Sequence, residues 1–339
     1  VSLSDKSIQS NIEPISLKNK GKQVTINKKF TAWPILQIVS YVLVLGVSIF
    51  IPQEQSVNLK PYQIFLSFLI IFFIGTYILS SFNKDIKKKV YYKAKLYFAI
   101  GIVIAVWDIL TDKLNLLPLP FFPSIAQIFQ SIFEDYQTLI ISTAYSLRLL
   151  FLGFAIGTII GLVTGVLIGW YQQWYYWLFP VIKAIGIIPA TAWIPVAMFI
   201  FPSSFYAEVF LIVLCVWFPV AFMTSTGIGN IHKSYFEAAR TLGAKENFLI
   251  FKIAIPGAMP SIFSGIYTGV SIAFATLIVS EMIGAKAGLG WYINWAKGWS
   301  NYAKVYASLI IMAIVFSIIM AILFRIRDRV LIWQKGLLK

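Results

Sequence analysis

Three features of the sequence predict an all-α membrane protein of about eight transmembrane helices. Of its 339 residues, 59% are hydrophobic and 12% charged, too little charge to cover a water-facing surface. The apolar residues gather into blocks of roughly 20, the length a helix needs to cross a hydrocarbon core about 30 Å thick. Lysines and arginines concentrate in alternate connections between those blocks, as they do in chains that thread a bilayer.

The predicted spans are 33–51, 62–82, 95–111, 139–169, 177–201, 206–228, 260–283 and 305–324. An even number places both termini on one side. The N-terminal segment carries Lys6, Lys18, Lys20, Lys22, Lys28 and Lys29, and the connection after the second span carries Lys84, Lys87, Lys88, Lys89, Lys93 and Lys95. Lys233, Arg240, Lys245 and Lys252 follow the sixth span; Arg325, Arg327, Arg329, Lys335 and Lys339 follow the eighth. By the positive-inside rule all four segments are cytoplasmic, and so are both termini. The net charge of +15 is then accounted for by lysines facing anionic headgroups, with no call for nucleic acid. The first 32 residues lack the apolar region of a cleaved signal, so insertion is expected to use the first span. The lone cysteine, Cys215, falls inside an apolar block and is expected to pack there.

One connection departs from this pattern. Residues 284–304 should face outward, yet they hold Lys286, Lys297 and Lys304 with no acidic residue. Trp291, Trp295 and Trp299, with Tyr292 and Tyr302 nearby, place an aromatic stripe on a short interfacial helix. That segment anchors in the interface, docks an external partner, or forms a basic vestibule for an anion.

The organisation predicted is a basic cytoplasmic segment 1–32, two spans with a lysine-rich loop 33–92, a core 93–332 and a cytoplasmic tail 333–339. Within the core, Gly153, Gly157, Gly161, Gly165 and Gly169 recur at every fourth position. At 3.6 residues per turn they line one slowly drifting face, against which another helix can come very close. Between the sixth and seventh spans, residues 232–256 form a polar segment containing two short helices. Ser234 and Glu237 have capping-box spacing, and Gly243 supplies a left-handed stop. Phe248, Ile250, Phe251 and Ile253 make the second helix apolar, and Pro256 marks the turn into the next span. A small apolar patch flanked by charge suits docking into a groove of another protein.

The run Glu237-Ala238-Ala239, three residues, Gly243, nine residues, Ile253-Ala254-Ile255-Pro256 resembles the signature loop of permease subunits of bacterial ABC importers, with Ile255 in place of the usual Leu. Phe122-Pro123-Ser124, Ser146-Leu147-Arg148, the stretch 188–195, and Ser280-Glu281-Met282-Ile283 with Gly288-Leu289-Gly290 are similar to the nitrate, sulfonate, taurine and bicarbonate branch of that family. The resemblance covers about 93–332. It implies a six-helix type I permease core to which the first two spans are added. Carried over with it is a coupling role for Glu237, Ala238, Ala239, Arg240, Gly243 and Pro256 against an ATPase. Two ATPase subunits binding ATP and magnesium, a second and identical permease copy, and an external substrate-binding protein are the partners implied, in a bacterial inner membrane. The cargo implied is a small anion such as nitrate, bicarbonate, taurine or an alkanesulfonate; a thiamine precursor or other small ring compound is the alternative.

Several polar residues sit at membrane depth. Arg148 lies about 14 Å into its span, where it needs a partner: an anion in the pathway, Glu281, or a carbonyl. Ser280 and Glu281 sit near the outer end of the seventh span as gate candidates. Pro189 and Pro195 flank Thr191 and Trp193, and a helix broken there survives only inside protein or beside a water-filled cavity, which marks Thr191 and Trp193 as pathway candidates. No histidine, cysteine or carboxylate cluster has metal-ligand spacing, and no P-loop is present. No catalytic residue, metal or bound cofactor is therefore assigned to the chain. A secondary transporter would show internal repeats or acidic residues along the pathway, and an assembly subunit would leave the signature loop without a purpose.

Overall fold

The structure, a computed structural model, describes residues 32–50, 57–114 and 116–333. The lysines at 6, 18, 20, 22, 28, 29, 335 and 339, and with them most of the predicted basic segment and tail, lie outside the described residues. All regular structure among the described residues is helical. Seven helical runs are long and apolar enough to cross a membrane: 33–50, 60–82, 84–113, 136–170, 204–229, 246–284 and 302–330. An eighth, Gln172–Ile187 with Ala190–Ile200, is bent by 90°.

The chain divides into two compact units, with the divisions falling inside helices rather than at residue 92. The first holds α1 (Trp33–Phe50) up to Val47, α2 (Lys60–Phe82) from Leu66, and α3 (Lys84–Asp108) up to Ala105. Tyr41, Phe73 and Tyr97 form its aromatic centre, at 5.1 and 5.4 Å between ring centroids. Gly101 lets α3 approach Ser40 and Tyr41 of α1 more closely than a side chain would permit. The predicted lysine-rich loop is corrected to helix. Asn83 alone separates α2 from α3, its Oδ1 accepting from the Asp85 N–H at 2.9 Å, so Lys84, Lys87, Lys88, Lys89, Lys93 and Lys95 lie on the opening turns of α3.

The second unit contains residues 48–50, 57–65 and everything described from Val106 onward. Its elements are α4 (Ile125–Glu134), α5 (Tyr136–Trp170), α6 (Gln172–Ile187), α7 (Ile194–Ile200), α8 (Ser204–Gly229), α9 (Lys233–Thr241), α10 (Glu246–Phe248), α11 (Ile255–Gly284), α12 (Leu289–Gly298) and α13 (Tyr302–Val330). Tyr62 donates to Asp108, and Phe65 stacks at 4.6 Å on Phe129, so the start of α2 belongs to this unit. Ser124 and Gln127 cap α4 reciprocally.

At the centre α8 is held between α5 and α11. The glycine face of α5 meets α8 step for step. A Cβ at Gly157 would stand 2.8 Å from Val216 Cβ, at Gly161 2.8 Å from Val220 Cβ, at Gly165 2.7 Å from the Ala221 carbonyl, and at Gly169 3.0 Å from Ser225 Cα. Gly153 meets Ile212 in the same way. From the other side, Gly265 and Gly269 of α11 abut the Pro219 carbonyl and Val216 Cα, where a Cβ would be at 2.7 and 3.0 Å. Leu149, Leu150, Ile212, Val216, Val220, Ala273 and Leu277 fill the core between them, with Cys215 packed among them and its thiol 3.2 Å from the Thr276 hydroxyl. Trp217 Nε1 donates to Thr164 Oγ1 at 3.0 Å, giving the α5–α8 contact a polar pin.

Because the glycine steps leave no room for a side chain, Gly161→Leu is expected to cost about 1–3 kcal/mol of stability through overpacking. Thermal unfolding in detergent checks this: the variant should unfold at lower temperature, while Gly46→Leu, at a glycine with open space around it, should not.

Candidate functional site

Two ends of the α5–α8–α11 core carry the candidate residues. At one end α8 leads through α9 and α10 into α11. Gly243 has φ of +80°, the left-handed stop the sequence predicts. The predicted capping box is corrected: α9 opens at Lys233 after His232, so Ser234 is already inside the first turn, with its hydroxyl 2.9 Å from His232 Nδ1. The predicted turn at Pro256 is corrected as well. Residues 246–284 run as one helical stretch, and a π-helical segment, Leu249–Ala254, precedes Pro256. Proline cannot donate into the helix ladder, and Pro256 stands directly after the π-helical segment, in the first turn of α11.

Glu237, Ala238, Arg240 and Gly243 are exposed, Ala239 and Pro256 partly so. Around them Tyr235, Leu242, Phe248 and Phe251 are exposed apolar residues, Leu242 at 88%. Ile250, assigned to the same patch from sequence, instead turns inward at 6%. The segment is fixed from beneath by α5: Trp170 donates its indole N–H to Glu246 at 2.9 Å and meets the Phe236 ring edge-on at 5.4 Å. Glu237 and its neighbours therefore form a firmly mounted surface with an apolar crown and mixed charge, the form of a docking site.

At the opposite end, Glu281 is 1% exposed. Its carboxylate accepts from Ser146 Oγ at 2.6 Å and from the Gly290 N–H at 2.8 Å, while Ser146 Oγ accepts from the Leu289 N–H at 2.9 Å. Glu281 thus holds the N-terminus of α12 against α5 and α11. Gly288, at φ of +126°, is placed where a side chain would collide with that carboxylate. The expected Arg148–Glu281 pair is corrected: Arg148 is exposed, and its guanidinium lies 5.0 Å from the centre of the Phe205 ring. Ser280 is fully buried and donates to the Leu277 carbonyl of its own helix.

The connection after α11 forms the predicted short helix, α12. Trp291 and Trp295 stack at 6.3 Å, whereas Trp299 sits past the helix end and is 75% exposed. Lys304 is not free to steer an anion: its ammonium pairs with Asp135 at 2.6 Å, over the ring of Trp295. Tyr292 also donates to Asp135, at 2.7 Å, and burial together with that bond pushes its hydroxyl above the ordinary tyrosine range, so it stays a neutral donor. Lys286 and Lys297 are exposed.

Between the two ends lies the break in the bent span. Ile188 is extended before Pro189, a 3₁₀ turn spans Ala190–Trp193, and Pro195 starts α7. A cavity of about 290 Å³ opens beside the break, lined by Gly186, Pro189, Ala190, Trp193, Cys215 and Phe218 among others. Trp193 Nε1 is buried without an acceptor among the described residues. Thr191 is exposed and outside this cavity, so the structure brings only one of that pair to it. Sequence reading missed two buried carboxylates, Asp108 and Glu208, although each is an acidic residue within an otherwise apolar run.

Residues 157–331 match the family described as the binding-protein-dependent transport system inner membrane component, and the chain belongs to that family of multi-pass inner-membrane proteins. It is 27% identical over 168 residues to an ABC transporter permease protein of Methanocaldococcus jannaschii, covering 48% of this chain and 62% of that one. It is 29% identical over 120 residues to the bicarbonate transport system permease protein CmpB of Synechococcus elongatus, covering 35% and 43%. The matches span less than two thirds of these relatives' lengths. A chain of the inward-facing MetNI methionine ABC transporter aligns with a TM-score of 0.49 at 21% identity, over 58% of this chain and 98% of that one.

Replacing Ser146 by Ala removes both the donor to Glu281 and the acceptor for Leu289. Hydrogen–deuterium exchange should then quicken across α12 while the α5–α8 contact keeps its protection; unchanged exchange in α12 would show that the Ser146 bonds do not hold it.

Proposed function

We propose that the chain is the transmembrane permease subunit of an ATP-driven importer, forming the pathway for a small solute. The observation that carries this reading is the exposed, rigidly mounted segment around Glu237, Ala238, Ala239, Arg240 and Gly243, lying in the stretch that matches the family. Its exposed Leu242, Phe248 and Phe251 suit insertion into a cleft of an ATPase subunit. ATP and magnesium bind there, not on this chain. Two such ATPases, a second copy of the permease and an external binding protein complete the assembly. The signature segment and both termini face the cytoplasm, as the lysine-rich ends require.

In this reading the segment is pushed when the ATPases close, and Trp170 passes the displacement to α5 as well as to α8 and α11. The three helices move together because the glycine contacts leave no slack between them. Cargo entering from the α12 end passes the helix break, where Trp193 lines a cavity of about 290 Å³. The bicarbonate permease among the relatives supports a small oxygen-bearing anion as the cargo class.

ATP hydrolysis by the assembled complex in lipid nanodiscs tests this reading, with binding protein and a panel of nitrate, bicarbonate, taurine, alkanesulfonates and a thiamine precursor. One cargo should stimulate hydrolysis, and Glu237→Lys should abolish the stimulation while the chain still folds. Stimulation by the thiamine precursor alone would keep the machine and change the cargo. Flux that ignores ATP in a chain binding no ATPase would instead mean a secondary transporter.

A further inference from the structure

Glu208 is a buried carboxylate that the preceding sites leave unexplained. It lies in the second turn of α8 with 0% exposure, and neither of its oxygens has a hydrogen-bond partner among the described residues. Three helices surround it. Its neighbours on α8, Ala207 and Leu211, pack with Ile194 and Ala197 of α7, which contributes no charged residue. The last turn of α11 runs beside the first turn of α8: a Cβ at Gly284 would lie 3.7 Å from Ser204 Cβ and 2.8 Å from the sulfur of Met198. That places Glu281, one turn back along α11, within electrostatic reach of Glu208. From α5, Tyr145 and Arg148 complete the set of titratable and charged groups facing this region. The Arg148 guanidinium is held over Phe205, one turn along α8, and forms no ion pair with Glu208.

The hydrogen bonds separate the two glutamates. Glu281 accepts from the Ser146 hydroxyl and from the Gly290 backbone N–H, while the Ser146 oxygen in turn accepts from Leu289. Two donors suit an ionised carboxylate. Glu208 has none, and a bare carboxylate cut off from water, donors and cations while facing a second carboxylate is strongly disfavoured. A proton on Glu208 removes both the uncompensated charge and the repulsion. We propose that Glu208 is a proton-binding site: a neutral carboxylic acid stored in the core at the end opposite the signature segment.

The consequence is a pH dependence with a defined sign. Closed packing is complete while the proton is present and weakens as pH rises, because the ionised form must either leave the core or stay there unpaired. Nothing in this inference needs an ATPase or a cargo, so it stands or falls separately from the importer reading.

Infrared difference spectroscopy of the full chain in lipid nanodiscs tests it directly. At neutral pH the wild type should show the carbonyl stretch of a protonated carboxylic acid, shifting in heavy water, absent in Glu208→Gln and retained in Glu281→Gln. In parallel, the unfolding temperature of the wild type should fall from about pH 5 upward, until Glu208 ionises, more steeply than that of Glu208→Gln. A Glu208→Gln spectrum that overlays the wild type in this region would overturn the proposal. Should the variant fail to fold, wild type labelled with carbon-13 glutamate serves instead: a protonated glutamate carboxyl resonance at neutral pH is expected, and its absence would overturn the proposal equally.

Discussion

Backbone contact between α5 and α8 is the constraint on which the rest of the second unit depends. In a bilayer no hydrophobic force draws two apolar helices together, so they associate through close packing and the few hydrogen bonds they can make. Five glycines at four-residue spacing remove every side chain from one face of α5, and α8 answers with Ile212, Val216, Val220, Thr224 and Ile228 at the same spacing. Gly265 and Gly269 bring α11 equally close from the other side, so α8 has a tightly fitted partner on both flanks. A fit of this kind resists small slips because each methyl or carbonyl meets backbone rather than a flexible side chain.

That fit gives the two ends of the unit their geometry. At one end Trp170, the last residue of α5, meets both Phe236 and Glu246, so the exposed segment is mounted on α5 as well as on the helices that flank it in sequence. At the other, Ser146 of α5 and Glu281 of α11 converge on the first N–H groups of α12, and Ser308 of α13 reaches the Leu289 carbonyl at 3.3 Å. Polar groups buried at this depth are costly unless they are paired, and Ser146, Glu281 and Ser308 are paired across different helices. Glu208 is the buried carboxylate without a hydrogen-bond partner among the described residues.

Much of this was legible in the sequence, because membrane spans are defined by length and hydropathy, and the glycine period by simple counting. The stop at Gly243 and the break at Pro189 follow from backbone chemistry that belongs to those residues alone. What escaped were pairings set by tertiary packing. The partner of Arg148 is Phe205, and no spacing rule relates positions on two different helices. Glu281 reads as an outer-end gate until the backbone of Leu289 and Gly290 folds back onto it. Lys304 reads as a free cation in a loop with no acid, since Asp135 is distant in sequence. The Lys84–Lys95 segment resembles a loop by charge, whereas lysine favours helix and a single Asn83 suffices to start one.

Solid-state NMR of the chain in lipid bilayers, labelled with carbon-13 at glycine and valine, tests the central constraint most directly. If α5, α8 and α11 meet backbone to side chain as described, short mixing times will give glycine Cα to valine cross-peaks for Gly157 and Gly269 with Val216 and for Gly161 with Val220. Their absence, with the helices otherwise intact, would mean that the glycine faces do not touch α8 in a membrane and that its two ends are not joined through it.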